Sequence, residues 1–295
     1  MTDQPPSGAL LLDKPPGITS ARAVSRVKHL LPPKTKVGHT GTLDPLASGL
    51  LVLLIGRSTR LSRYVTDLDK AYTATARFGA VSDTLDADGN ITPLDTPMPD
   101  ANTIRGTLPS FTGDILQMPP MASAIKREGV RLYDLHRRGV TIEREPRPVT
   151  VHAFDLLATN PTHQSATFEI SCSSGTYVRT LIADLADYLH SGAYLTSLRR
   201  TRVGHLLVDS AVDPDDLTPI TIHNRIIHPD EVISHLPRVE VDGEEELAVR
   251  SGRVLGARGL EGSFRVEREG ALLAVYRDDG AEAKAEVVLC GADRR

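Results

Sequence analysis

Gly38-His39-Thr40-Gly41-Thr42-Leu43-Asp44-Pro45-Leu46-Ala47-Ser48-Gly49-Leu50-Leu51 sets one carboxylate between glycines on one side and an unbroken apolar run on the other. The run, Leu50 to Ile55, reads as a fully buried strand or a short helix. Gly38, Gly41 and Gly49 are expected to permit backbone angles and close approaches that a side chain would forbid. Pro45 fixes its own φ and biases Asp44 toward an extended conformation. Asp44 is therefore held in its loop, where the residues alone allow a reactive carboxylate or an ordinary turn former.

On the N-terminal side, Gly8 to Leu12 reads as a buried strand. Thr19 or Ser20 then caps a helix with Ala23, Val24, Val27, Leu30 and Leu31 at helical spacing, ended by Pro32-Pro33. On the C-terminal side, Tyr72, Ala74, Ala76 and Phe78 alternate as a strand does, with Tyr72 on the inward face. A Pro- and Asp-rich connection with one short helix spans Gly89 to Gly113. Strands near 148–158 and 165–172 lead to a helix from about Tyr177 to His190, with Arg179 in its first turn. Prolines 214, 219, 229 and 237 mark a boundary, which divides the chain into residues 1–235 and 236–295. The second part reads as all-β, with strands at Phe264 to Val266, Ala271 to Tyr276 and Ala285 to Leu289 and a hairpin at Asp278-Asp279-Gly280.

The chain has 295 residues, 40% hydrophobic and 24% charged, the profile of a soluble globular protein with one large core and room for a small additional unit. Cys172 and Cys290 are its only cysteines, so neither a disulfide framework nor a Cys-x-x-Cys metal site is available, and a reducing cytoplasm is expected. No metal is expected from the histidines either. No apolar run is long enough to span a bilayer. Net charge is −4, but from Glu240 onward there are 13 acidic and 9 basic residues, which leaves residues 1–239 neutral. Within that neutral part, Lys126, Arg127, Arg131, Arg137, Arg138, Arg144 and Arg147 outnumber four acids. With few large apolar residues, the segment at about 124–150 reads as a protruding basic arm suited to a phosphate backbone. Gly-x-x-x-x-Gly-Lys is absent, and Asp86-Ala87-Asp88-Gly89 lacks the ligands of a calcium loop, so it reads as a turn.

The run from Gly38 to Leu51 resembles the catalytic motif of the TruB family, the tRNA pseudouridine-55 synthases. In the same order follow Leu11-Leu12-Asp13-Lys14-Pro15, Asp69-Lys70-Ala71-Tyr72, Asp83 to Gly89, Ser174 to Thr180 and Leu198-Arg199-Arg200, together covering about the first 205 residues. The resemblance implies an α+β catalytic domain on a largely antiparallel sheet, followed by a small PUA-type β-barrel. It implies isomerisation of uridine 55 in the TΨC stem-loop of tRNA by base flipping, without a cofactor, by a cytoplasmic protein expected to be a monomer. The resemblance then makes Asp44, Tyr72 and Arg179 the catalytic residues: Asp44 the essential carboxylate, Arg179 its partner, and Tyr72 the residue that stacks on the base and takes part in proton transfer from its C5. His39, Tyr177 and Leu198 contact the RNA or line the pocket. Lys14, Pro15, Gly38 and Gly41 support the loop, and Lys126, Arg137 and Arg138 of the arm bind tRNA. The rival reading is an RNA-binding or RNA-folding protein in which modification is secondary.

Overall fold

The computed structural model describes residues 6–120, 126–127, 130–131 and 144–290. Strands in chain order are β1 (Gly8–Lys14), β2 (Val37–His39), β3 (Ser48–Ile55), β4 (Lys70–Phe78), β5 (Ala80–Ser82) and β6 (Ile91–Pro93). Then come β7 (Gly113–Gln117), β8 (Lys126–Arg127), β9 (Val130–Arg131), β10 (Arg147–Asn160), β11 (Ser165–Cys172), β12 (Ala193–Val203) and β13 (Leu206–Leu207). The large sheet runs β1-β3-β12-β4-β11-β10-β7, with β2 paired to β3 and β13 to β12. Its pairings are antiparallel except for β3 with β12, where Ser48 faces Arg199 and Gly49 faces Arg200.

The apolar run of β3 is a strand rather than a helix because both of its faces are covered. Leu51, Leu53 and Ile55 pack into one core with the Ser20–His29 and Val178–Tyr188 helices. Leu50, Val52 and Leu54 enter a second core on the opposite face, which also holds Leu272, Val275 and Val287 from the C-terminal part. A strand covered on both faces reads as continuous apolar sequence, since alternation appears only where one face meets water. β4 shows that contrast: Tyr72, Ala74, Ala76 and Phe78 are buried while Arg77 is exposed. Thr19 is the N-cap of the first helix, its hydroxyl accepting from the Arg22 N–H at 3.1 Å.

From Arg238 onward a second, five-stranded sheet forms, comprising β14 (Arg238–Glu240), β15 (Leu255–Gly256), β16 (Gly262–Arg268), β17 (Ala271–Asp278) and β18 (Glu282–Val288) in the order β14-β16-β17-β18-β15. It curls over a core of Val249, Phe264, Val266, Ala274 and Tyr276. This part is not all-β, as its sequence suggests: Gly243–Arg250 is a helix, capped by the Asp242 carboxylate, which accepts from the Glu244 and Glu245 N–H groups. Three glutamates in its first turn also oppose the positive end of the helix dipole. Two arginines tie the sheets together: Arg57 donates to the Leu289 carbonyl and Arg60 to that of Val288. Among the described residues no helix is long and apolar enough to cross a membrane.

Candidate active site

Asp44 sits in the loop between β2 and β3, and four independent contacts fix that loop from behind. The Ser20 hydroxyl donates to the Leu43 carbonyl at 3.0 Å and accepts from the Leu43 N–H at 2.8 Å. Gly17 N–H donates to the Pro45 carbonyl at 2.8 Å, and Ala47 N–H closes a turn onto the Asp44 carbonyl at 3.1 Å. The buried guanidinium of Arg200 spans the two ends of the loop, donating to Leu50 O at 2.8 Å and Gly41 O at 3.1 Å. Of the three glycines only Gly49 requires glycine. Its φ is +97°, and a Cβ there would lie 2.3 Å from the Arg200 carbonyl oxygen. Gly38 and Gly41 have ordinary φ and room for a Cβ, which corrects the expectation that all three are sterically compelled.

Arg179 reaches this loop from the first turn of the Val178–Tyr188 helix. Its Nε lies 2.9 Å from an Asp44 carboxylate oxygen, and Nη1 lies 3.3 Å from Asp86 and donates to the Thr84 carbonyl at 2.8 Å. A cation near a helix N-terminus is disfavoured by the dipole, and two carboxylates offset that here. The Asp44 side chain is 35% exposed, that of Asp86 5%, so of these two carboxylates only Asp44 opens to solvent. Burial raises the Asp44 pKa above the ordinary 3.8; Arg179 pulls it down, and Asp86 and Asp88 push it up further.

Asp86 enters from a loop joined to β12 on both sides. Leu195 N–H donates to Leu85 O and Ala87 N–H to Leu195 O. Its carboxylate accepts from the Thr84 hydroxyl at 2.6 Å and the Asp88 N–H at 3.1 Å. Leu85 takes a left-handed φ of 64°, a conformation that costs a non-glycine residue roughly 1–3 kcal/mol. The turn read at Asp83 to Gly89 is present, yet its central carboxylate belongs to the ion-pair chain. Nothing local in the sequence reveals that, because the contact is made through β12.

Lys14 is fully buried behind the loop, donating to Pro15 O at 2.9 Å and Ile18 O at 2.8 Å. Burial lowers its pKa to about 8, with Asp44 favouring the charged form and Arg200 opposing it. Tyr72, on β4 opposite Arg200, is buried, and burial raises its pKa, with the nearby Arg200 charge working against that rise. Its phenol therefore stays protonated at neutral pH. Arg200 itself was not among the residues singled out as functional by sequence. The side chains of Arg199 and Arg200 leave β12 on opposite faces, and Arg199 makes a bidentate pair with Asp13.

The remaining expected residues lie on the same elements. His39 ends β2, Leu198 is a buried residue of β12 two positions before Arg200, and Tyr177 precedes the helix two positions before Arg179. Arg137, Arg138 and the side chain of Lys126 lie outside the described residues. Among the described residues no group of three or more His, Cys, Asp or Glu side chains is arranged to hold a metal ion.

Comparison with known proteins places this geometry among RNA-modifying enzymes. Residues 28–178 match the model of the TruB family pseudouridylate synthase, N-terminal domain. The chain is 44% identical over 277 residues to tRNA pseudouridine synthase B of Aromatoleum aromaticum (strain DSM 19018 / LMG 30748 / EbN1), covering 92% of this chain and 89% of that protein. It is 41% identical over 303 residues to tRNA pseudouridine synthase B of Burkholderia mallei (strain NCTC 10247), covering 97% and 98%. Among solved structures, a chain of a Cbf5-Nop10-Gar1 complex has the same fold, with a TM-score of 0.73 at 23% identity over 96% of this chain and 85% of that one.

Proposed function

The chain belongs to the TruB family of pseudouridylate synthases, and from that premise we propose that it converts uridine 55 in the TΨC stem-loop of tRNA to pseudouridine, with Asp44 as the reacting carboxylate. Formation of pseudouridine in tRNA follows from the family and from relatives that cover nearly the whole chain. The observation that supports the site is the chain Asp44–Arg179–Asp86, in which a buried guanidinium orients one solvent-facing carboxylate and is itself held by a buried one.

The reaction breaks the N1–C1′ glycosidic bond, turns the uracil within the site and rejoins it through C5. Ionised Asp44 serves each chemically sensible first step: addition to C6, attack on C1′ or removal of the C2′ proton. All three require the carboxylate form, which Arg179 favours against the burial that opposes it. The target base is stacked in the folded tRNA and is flipped out to reach Asp44, with the Tyr72 ring supplying a replacement stacking face. Burial keeps the Tyr72 phenol protonated at rest, and once C5 is joined to C1′ the C5 proton leaves to solvent while N1 gains one. His39, Tyr177 and Leu198 line the path of the flipped base, and Lys14 with Pro15 backs the Asp44 loop. Lys126, Arg137 and Arg138 add phosphate contacts. No step calls for a cofactor.

The test is an unmodified tRNA transcript tritiated at C5 of uridine, incubated with the protein. Release of tritium from position 55 alone, abolished in Asp44→Asn and in a transcript with cytidine at that position, is expected. Tight binding without release would replace the enzyme with an RNA-binding protein, and release from another uridine would replace the assigned position.

A further inference from the structure

We propose that Gln117 is a positioning residue that sets the entry of the Val178–Tyr188 helix and thereby aims Arg179 at Asp44. The proposal rests on the reading of Asp44 and Arg179 as the catalytic pair. Gln117 ends β7, where its main chain faces Arg147 of β10, and its side chain is 2% exposed. Its Oε1 accepts from the Tyr177 N–H at 2.7 Å, and its Nε2 donates to the Tyr177 carbonyl at 3.1 Å. One side-chain amide thus treats Tyr177 as a neighbouring antiparallel strand would, using both polar groups of a single residue.

Tyr177 is where the helix needs outside help. It is the N-cap residue, extended at φ −100° and ψ 104°, and its side chain makes no capping hydrogen bond. Its carbonyl also receives the first intrahelical bond, from the Leu181 N–H at 3.0 Å. Gln117 therefore fixes the peptide from which the first turn springs, and Arg179 lies two residues further on. The Thr180 hydroxyl extends the grip, donating to the Met118 carbonyl at 3.4 Å. Arg179 must satisfy Asp44 at 2.9 Å and Asp86 at 3.3 Å with one planar fork, so a small rotation of this turn breaks one contact or both. An amide at a site needed only for packing would be a poor choice, since burying its two polar ends is costly unless both are used.

Gln117→Leu removes both bonds at similar volume. Single-turnover tritium release should fall by about 10²-fold, the scale of a misplacement near 1 Å, while the Kd for tRNA stays within about twofold. A role in stability alone would lower Tm and leave the rate per folded molecule unchanged, and that result overturns the proposal. The decisive arm is a double-mutant cycle with Arg179→Lys. If Gln117 acts through Arg179, Gln117→Leu should cost less than about threefold in that background; a further loss of the full size overturns it. Should the leucine variant fail to fold, Gln117→Glu, which keeps the acceptor for the Tyr177 N–H, enters the same cycle. A wild-type protein that releases no tritium refutes the functional reading and this proposal together, whereas an active wild type with an equally active Gln117 variant refutes this proposal alone.

Discussion

Around Asp44 the supporting charged side chains are few and buried, whereas the C-terminal sheet carries most of its charges outside in dense pairs. Lys14, Arg179, Arg200 and Asp86 are each less than 5% exposed. In the second sheet and its helix, Arg250 and Arg268 share Glu246, Arg238 meets Glu240, and Lys284 meets Asp279 and Glu282, with half or more of the Lys284 side chain in water. Glu267 and Asp278 are exceptions there: Glu267 is buried and met by Arg238 and Arg265, and Asp278 is buried and accepts from the Arg258, Leu260 and Gly280 N–H groups. Exposed pairs contribute little, because water and salt screen them and ordering two long side chains costs entropy. A buried ion loses several kcal/mol of hydration, so an apolar replacement would often be as stable. A count of ion pairs would thus point to the C-terminal part, while the charges of the proposed site are the few that folding alone would not favour.

The comparison would break most decisively at Asp44. Asp44→Asn should reduce single-turnover pseudouridine formation by about 10⁴-fold or more, the scale seen when a reacting side chain is removed, with tRNA binding and the circular dichroism spectrum retained. Next comes Asp86→Asn, which removes the carboxylate that lies 3.3 Å from Arg179 Nη1. A loss on the order of 10²-fold in the rate constant, with little change in Kd, is expected; an unaltered rate would reduce Asp86 to a turn residue.

Lys14 sharpens the comparison through pH. The wild-type rate should rise as Asp44 loses its proton, at a pH above the ordinary carboxylate value of 3.8, because burial raises that pKa. Lys14→Met removes a cation whose charge Asp44 favours, so the acid limb should move to higher pH, as read from single-turnover rates between pH 4 and 10; an unmoved limb would uncouple the two groups. The smallest effect belongs to the other region. Glu246→Gln breaks pairs with Arg250 and Arg268, yet Tm should stay within about 2 °C and the rate should not change; a large loss in a thermal melt would contradict the contrast drawn here.

Local sequence carried much of the framework. The alternation of β4 and the helix bearing Arg179 were readable because each is a periodic pattern, while the unbroken apolar run of β3 read equally as strand or short helix and the cap as Thr19 or Ser20. Asp44 and Arg179 were paired through resemblance, and the structure brings them to 2.9 Å. What stayed hidden was non-local or locally ambiguous. Asp86 looked like part of a turn because its ion pair depends on the bridge to Leu195. Arg200 looked like any strand arginine until its carbonyl partners at Gly41 and Leu50 were seen. The Gly243–Arg250 helix buries Val249 alone, so it leaves almost no amphipathic signal, and its glutamates read as a generic acidic tail.

The short parallel contact between β3 and β12 has a consequence in time. Gly49 and Arg200 meet there, joining the Asp44 loop to a strand made much later in the chain. A ribosome adding about 5–20 residues per second needs on the order of ten seconds to pass from one to the other. Until then the nascent chain carries Asp44 without Arg179 or the Arg200 clasp, and the first part of the sheet has its β3 edge open. Assembly of the proposed site is therefore delayed until nearly the whole large sheet has been synthesised, and a truncated product ending before Arg200 would hold Asp44 in an unfinished seam.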